Sequence, residues 1–315
     1  EDLLRDSPLV EGGYLRGADV ARVIRSIRTQ YGELGYIDAR IDVEETYALD
    51  GALVDVVLRV DEGGQKRVRD IIVRGNTNTR DGVVRRSLTI YPGDIVDTRE
   101  LRYAEDLLVS LDYFTDLTGT PRVRVSTEPT DDPGLVDVIV DVDDSSSGYF
   151  NFLLGAGSDS GLFAGIEVDK KNFDIGRTPD TFGGLFGDFF GAGDGFHGGG
   201  QRLALNLRPG TRFSQYSITF EDPWLDESRE DPWGLSVELY ERLFFAQEFS
   251  RQKSGLGVFL SHRLSRETSI AIGPRVEVLD IYDVDEPQPD FITGEKSDFA
   301  QAEGKTQRHV LEGRI

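Results

Sequence analysis

Two stretches decide the fold of the first half of the chain: DGALVDVVLRVDE at residues 50–62 and DPGLVDVIVDVDD at residues 132–144. At a constant offset of 82 positions, seven of their 13 residues are identical. Each places Val at alternating positions after a turn signal, which predicts a β-strand. The first half therefore contains a repeated unit.

A helix is predicted ahead of the strands in both units. In the first unit, Asp19 is a candidate cap for a helix ending at Gly32 and Gly35, and a strand follows at 37–45. Its apolar residues have helical spacing: Val20, Val23, Ile24, Ile27 and Tyr31. In the second unit, Thr98 is the candidate cap, and a strand follows at 121–128. The apolar residues of this helix are Leu101, Ala104, Leu108 and Leu111.

The second unit also includes its opening strand, on which Val68, Ile71 and Val73 lie. The strand ends at the turn Gly75-Asn76, and a short helix from Thr79 follows. The predicted order is β-α-α-β-β. The first unit lacks the opening strand, so we expect the sequence to start inside that unit. Absence of Met from the chain likewise predicts a mature or excised segment.

These residues resemble the POTRA domain, a polypeptide-transport-associated module. The stretches that carry the resemblance are VRDIIVRGNTNTRDGVVRRSL (68–88), YPGDIVDTREL (91–101), LDYFTDLTGTPRV (111–123) and LVDVIVDVDD (135–144). Asp143-Asp144 departs from the family pattern, in which an acidic residue and Gly end the last strand. The resemblance implies a partial POTRA domain at 1–63 and a second one at 64–144.

After a short flexible link at 145–148, the spacing changes to period two. Apolar and polar residues alternate in five stretches: 162–171, 202–208, 235–240, 256–264 and 270–278. This pattern fits a soluble β-sandwich or a membrane β-barrel. Aromatic residues at the expected strand ends favour the barrel. They are Phe220, Trp224, Trp233, Phe244, Phe245 and Phe249.

The same half resembles the BamA-type insertase family. Residues 149–176 (YFNFLLGAGSDSGLFAGIEVDKKNFDIG) are similar to its first two barrel strands, and residues 198–225 (GGGQRLALNLRPGTRFSQYSITFEDPWL) to strands three and four. The resemblance implies α+β POTRA modules followed, at 149–315, by the first half of an antiparallel transmembrane barrel, about eight strands. It also implies a bacterial outer-membrane protein with POTRA modules in the periplasm.

Composition excludes several other classes. The net charge is −22 and there is no basic stripe, which argues against nucleic acid as a partner. There is no Cys, and the three His residues have no metal-ligand spacing. The Gly-rich stretch at 191–195 lacks the spacing of a nucleotide loop. We therefore predict no catalytic residue, no metal and no cofactor.

The resemblance implies that unfolded outer-membrane proteins pair with the first barrel strand. The candidate residues are Tyr149, Phe150, Asn151, Phe152, Leu153, Leu154 and Gly155. Gly155 and Gly157 are expected to weaken this strand, or else to be ordinary barrel residues. A second candidate peptide edge lies in the POTRA module at Arg122, Val123, Arg124 and Val125. The lipid bilayer and periplasmic accessory lipoproteins are the other expected partners.

Three alternatives remain open at this point: a two-partner secretion transporter of the same superfamily, a passive diffusion pore and a soluble sandwich adhesin. One further expectation concerns the insertion at residues 173–200. This segment is longer than a periplasmic turn should be, and it is rich in Phe. We predict that this insertion packs under the barrel mouth or against the second POTRA module, where it limits hinge motion or guides clients. The alternative is a flexible Gly-rich loop.

Overall fold

The computed structural model describes residues 8–49, 53–115, 120–144, 149–158, 161–179, 195–225, 233–246, 249–265, 268–284 and 303–314. The chain divides into two compact units. One contains Glu1–Asn76 and Ser87–Asp143, and the other contains Thr77–Arg86 and Asp144–Ile315. Segment 77–86 therefore belongs to the C-terminal unit, although it lies inside the second sequence repeat.

The first repeat folds as a helix followed by a β-hairpin. Helix α1 (Gly17–Glu33) buries Val20, Val23 and Ile27, and β1 (Arg40–Tyr47) pairs antiparallel with β2 (Val54–Asp61). The predicted cap is wrong, because Arg16 occupies the N-cap position without a side-chain hydrogen bond. Asp19 lies in the first turn, where its negative charge interacts favourably with the helix dipole.

The second repeat has the predicted β-α-α-β-β order. Its elements are β3 (Arg67–Arg74), α2 (Asp81–Arg86), α3 (Thr98–Ser110), β4 (Val123–Pro129) and β5 (Leu135–Val142). Strand β5 lies between β3, to which it is parallel, and β4, to which it is antiparallel. Because β5 is central, it is a nearly continuous apolar run, and Val138, Ile139 and Val140 are fully buried.

Two local features of this repeat concern its turns and caps. The N-cap of α3 is Asp97, whose carboxylate accepts a hydrogen bond from the Arg99 N–H at 2.7 Å, so the predicted cap Thr98 is wrong by one residue. Gly75 has a φ of +82°, and a Cβ there would lie 1.9 Å from the carbonyl oxygen of Val142. The turn after β3 therefore requires glycine.

The C-terminal unit is built on one eight-stranded antiparallel sheet. Its strands are β6 (Tyr149–Gly157), β7 (Gly161–Phe173), β8 (Gln201–Arg208), β9 (Phe213–Asp222), β10 (Trp233–Phe245), β11 (Ser250–Arg263), β12 (Ser269–Tyr282) and β13 (Gly304–Arg314). Each strand pairs with its neighbours in sequence. The predicted strand number is confirmed. In the described residues the strands form a single sheet, so the β-sandwich alternative is wrong.

One face of this sheet is apolar. The predicted apolar row at 203, 205 and 207 and that at 235, 237 and 239 share this face, because Ile218 of β9 lies opposite both Leu205 and Leu239. Ile218 and Leu239 are each about half exposed. A continuous row crosses seven strands at Phe150, Val168, Leu205, Ile218, Leu239, Leu256 and Val276.

The opposite face carries charge. Arg202 forms two hydrogen bonds to Asp169 at 2.9 and 2.7 Å, and Arg275 reaches Glu238 at 2.8 Å. An apolar face opposite a charged one is typical of a transmembrane barrel wall. None of the helices in the described residues is both long and apolar enough to span a membrane.

We predict that Leu205→Arg impairs assembly of the barrel by about 2–4 kcal/mol, because it places a charge on the face expected to contact lipid. Asn206→Arg is the matched control, since Asn206 lies on the charged face opposite Glu167. The measurement is the fraction of heat-modifiable, folded barrel in membranes. Equal effects of the two substitutions would contradict the assignment of the faces.

Candidate strand-pairing edges and their anchor

Strand β6 contains all seven predicted client-pairing residues, Tyr149 to Gly155, and it is an edge strand of the sheet. It pairs with β7 on one side, and no strand of the described residues pairs with its other side. In an antiparallel sheet, alternate residues of such an edge direct their N–H and C=O groups outward. This edge can accept another strand.

The apolar side chains of β6 extend the apolar face of the sheet to this edge. Phe150, Phe152 and Leu154 are cross-strand partners of Val168, Ile166 and Ala164 respectively. Phe152 is 78% exposed and Leu154 is 89% exposed. The rings of Phe150 and Phe152 meet edge to face, with centroids 4.6 Å apart. A strand that pairs here would find an apolar surface beside the backbone edge.

Gly155 has a packing role that the sequence did not indicate. It lies opposite Phe163, and a Cβ at Gly155 would be only 2.4 Å from the Phe163 ring. The ring covers the glycine, and the guanidinium of Arg208 lies 3.8 Å from the ring centroid. The aromatic ring thus supplies contact that the glycine lacks.

The start of β6 is preceded by a buried carboxylate. Asp144 is 2% exposed, and its two oxygens accept four hydrogen bonds from the 77–79 loop. The donors are the Thr77 N–H at 3.2 Å, the Thr77 hydroxyl at 2.7 Å, the Asn78 N–H at 2.8 Å and the Thr79 N–H at 2.6 Å. This network gives a structural reason for Asp at a position where the POTRA pattern has Gly.

The same hydrogen bonds control the ionisation of Asp144. Burial alone would raise the pKa of its carboxyl group. The hydrogen bonds from Thr77, Thr79 and Asn78 outweigh burial and hold the pKa below its ordinary value. Asp144 is therefore a carboxylate at neutral pH, and its charge strengthens the hydrogen bonds that it accepts.

Asn172, near the end of β7, binds the same loop from the other side. It is fully buried and has a φ of +52°, beside a break in the β7–β8 register. Its side-chain amide donates to the Thr79 hydroxyl at 2.7 Å, and its side-chain oxygen accepts from the Gly200 N–H at 2.9 Å. Its backbone carbonyl accepts from the Gly198 N–H at 2.7 Å. One asparagine thus joins three segments.

The described ends of the 173–200 insertion also contact segment 77–86. Arg80 forms an ion pair with the buried Asp174 at 2.5 Å, and Arg177 donates to the Asn78 carbonyl at 3.2 Å. Arg86 donates to the Gly199 carbonyl at 3.1 Å. These contacts of 173–179 and 195–200 lie within the C-terminal unit, so packing of the insertion under the barrel mouth or against the second POTRA module stays a prediction. The remainder, 180–194, lies outside the described residues.

The second predicted edge is partly occupied. Val123, Arg124 and Val125 lie on β4, at the edge of its sheet, and Arg122 precedes the strand. The Arg122 N–H already donates to the Phe114 carbonyl at 2.8 Å. The Val125 N–H donates to a carboxylate oxygen of Glu105, on α3, at 2.9 Å. Glu105 could not be found from sequence, because its role depends on how α3 packs beside β4.

We predict that Asp144→Asn destabilises the protein by about 2–3 kcal/mol at neutral pH, because an amide nitrogen would face a backbone N–H. The folded-state pKa is lowered, so the stabilisation is present above the unfolded value of about 3.9. It is lost as the pH falls through the folded pKa, and the difference between wild type and variant should then shrink. The measurement is the melting temperature in detergent micelles across this range.

The control is Asp143→Asn, which changes the same charge at an exposed neighbouring position. We expect it to melt within a degree or so of wild type, since surface substitutions usually change stability by less than about 0.5 kcal/mol. If the Asp144 variant also melted with wild type at neutral pH, the four hydrogen bonds would not stabilise the loop.

Comparison with known proteins agrees with this architecture. The model of the surface antigen variable number repeat, POTRA, matches residues 1–63 and 66–145, and the model of the Omp85 superfamily domain matches residues 196–312. The outer membrane protein assembly factor BamA of Neisseria meningitidis serogroup B is 23% identical over 313 residues. The match covers 97% of this chain and 34% of the relative, so the chain spans about a third of that protein.

A second relative and a solved structure are also similar to this chain. A putative outer membrane protein assembly factor of Treponema pallidum is 26% identical over 152 residues, which is 48% of this chain and 17% of the relative. The crystal structure of Haemophilus ducreyi BamA lacking POTRA domains 1–3 superposes with a TM-score of 0.70 at 17% identity. The superposition covers 99% of this chain and 56% of the Haemophilus ducreyi chain.

The two domain models match in the order of the two halves described above, and the fold is that of BamA. The chain therefore belongs to the Omp85 superfamily, as a BamA-type outer-membrane protein with periplasmic POTRA repeats followed by eight strands of the barrel.

Proposed function

We propose that this protein folds and inserts client β-barrel proteins into the outer membrane by pairing client strands with the free edge of β6. The observation that carries the proposal is the position of β6 at the end of the sheet, with no strand on its outer side in the described residues. The BamA relatives support the same role, since they are named as assembly factors.

The physical reason is the cost of unpaired backbone groups in lipid. Each N–H or C=O without a partner in hydrocarbon costs several kcal/mol, so an entering strand gains greatly from a preformed edge. Strand β6 has nine residues, and a transmembrane strand needs about 9–11. The edge is therefore long enough to pair with a client strand over most of the membrane.

Side chains beside the edge favour an amphipathic client strand. Phe152 and Leu154 are exposed on the apolar face, while Asn151 and Leu153 point to the other face. A client strand that alternates apolar and polar residues would continue both faces of the sheet. No covalent step is needed, and the proposed function requires neither a cofactor nor a catalytic residue.

Periplasmic parts complete the proposal. Clients reach the membrane unfolded, and the β4 edge at Val123 offers a site for transient pairing with an extended segment. We infer that accessory lipoproteins bind the POTRA repeats, and the support for this is the resemblance to BamA-type proteins.

The alternative is a two-partner secretion transporter of the same superfamily. Such a protein would move its partner through the barrel and would not pair it along β6. A passive diffusion pore would pair with no client at all. The position at which a client is captured therefore discriminates among the three functions.

We predict that a client strand can be cross-linked to β6. The chain has no Cys, so Asn151→Cys introduces a unique thiol at the edge. A client arrested during assembly, with one cysteine in its terminal strand, should form a disulfide with position 151 in cells. We expect this disulfide because direct strand pairing brings opposed Cβ atoms to about 4.5–5.5 Å.

Ser217→Cys is the control, because β9 pairs with β8 and β10 on its two sides. Cross-links at position 217 as strong as those at 151, or none at either position, would count against pairing at β6. Cross-links spread over charged-face positions of the interior strands, with no preference for position 151, would favour the transporter.

A second prediction tests the β4 edge. Glu105→Ala should expose the Val125 N–H, so that hydrogen exchange at this amide becomes faster and cross-linking of an extended client segment at Val123 increases. Glu105→Gln keeps an acceptor oxygen and should behave nearly as wild type. Unchanged exchange in the Ala variant would mean that Glu105 does not protect the edge.

A further inference from the structure

A cavity of about 590 Å³ lies on the charged face of the sheet, beside the C-terminal end of β10 and the N-terminal ends of β9 and β11. Its wall contains Arg242, Arg251, Lys253 and Arg308, with Glu277 as the acidic residue of the lining. Four cations around one acid are unusual in a chain whose net charge is −22. The local charge is therefore opposite to that of the whole protein.

Pairing within the protein neutralises only part of this charge. Glu277 binds Lys253 at 3.0 Å and also accepts a hydrogen bond from the Tyr240 hydroxyl. In the described part of the chain, no carboxylate forms an ion pair with Arg242, Arg251 or Arg308. Among the described residues, three guanidinium groups at this cavity therefore have no ion-pair partner.

Strand register holds these cations close together. Arg242 lies directly opposite Lys253 in the β10–β11 pair, and Arg308 lies opposite Glu277 in the β12–β13 pair. Arg251 is two residues from Lys253 and therefore points to the same face. Like charges at directly opposed positions destabilise a sheet. Repulsion between these cations destabilises the folded protein, and a bound anion would offset it.

Aromatic rings fix two of the guanidinium groups without neutralising them. Arg242 lies 5.1 Å from the Tyr240 ring centroid, and Arg251 lies 5.5 Å from that of Phe244. Cation–π contacts orient a guanidinium and leave its N–H donors free to bind a ligand. The cavity thus presents ordered donors.

We propose that this cavity binds a phosphate group, carried by a small molecule or by a lipid headgroup. Guanidinium groups bind phosphate through paired N–H donors, and Gln215 and Thr306 add neutral polar groups to the wall. The volume exceeds that of one phosphate group and lies in the range of small-ligand sites, about 300–1,000 Å³. It leaves room for the sugar or glycerol to which a phosphate is attached.

The test uses the protein in non-ionic detergent micelles at constant ionic strength. Inorganic pyrophosphate and glycerol 3-phosphate probe binding of a free phosphate, and micelles containing phosphatidylglycerol probe binding of a headgroup. The readouts are the melting temperature and the affinity from titration calorimetry. A saturable rise in melting temperature with either kind of probe is expected, because a ligand that binds the folded state stabilises it.

The variant Arg242→Gln/Arg308→Gln should weaken binding by about tenfold or more, as loss of charge-assisted hydrogen bonds requires. Arg314→Gln is the matched control, because Arg314 lies on the same face but pairs with Glu312 and Glu238 outside the cavity. It should bind within about twofold of wild type. Binding that falls equally in both variants, or no response to any probe, would overturn the proposal.

Discussion

Backbone N–H and C=O groups in a bilayer must find partners within protein, because hydrocarbon offers none. Strands β7 to β12 meet this requirement on both sides, through an antiparallel order that follows the sequence. Strand β6 meets it on one side in the described residues. Strand β13, at the other end of the described sheet, is in the same position. The same constraint that holds the sheet together is thus the physical basis of the proposal that a further strand binds at β6.

The two candidate edges differ in what surrounds them. At β4, the outward Val125 N–H is satisfied by Glu105, and neighbouring groups can bind water at little cost. At β6, the flanking Phe152 and Leu154 are exposed on the face expected to contact lipid, where water is scarce. This difference predicts weak, reversible pairing at β4 and strong pairing at β6.

The order of elements could be predicted because it depends on local periodicity and on the repeated strand motif. The roles of Asp144 and Asn172 could not, since their hydrogen bonds to the 77–79 loop join residues 65 to 93 positions apart in sequence. The cap of α3 was misplaced by one residue because Asp97 and Thr98 are both good N-cap residues. For Gly155 the sequence leaves open a weak point or an ordinary barrel residue, because only the strand register reveals that Phe163 covers it.

Net charge describes the chain poorly at the scale on which ligands bind. Along the charged face, acids and bases form pairs, as in Arg202 with Asp169 and Arg275 with Glu238. At the cavity Lys253 pairs with Glu277, whereas Arg242, Arg251 and Arg308 line the same concave wall without an ion pair to any described carboxylate. A concave surface with low-dielectric walls focuses the field of such charges. An acidic protein can therefore hold a site that attracts anions, and its position on the charged face keeps that site separate from the β6 edge.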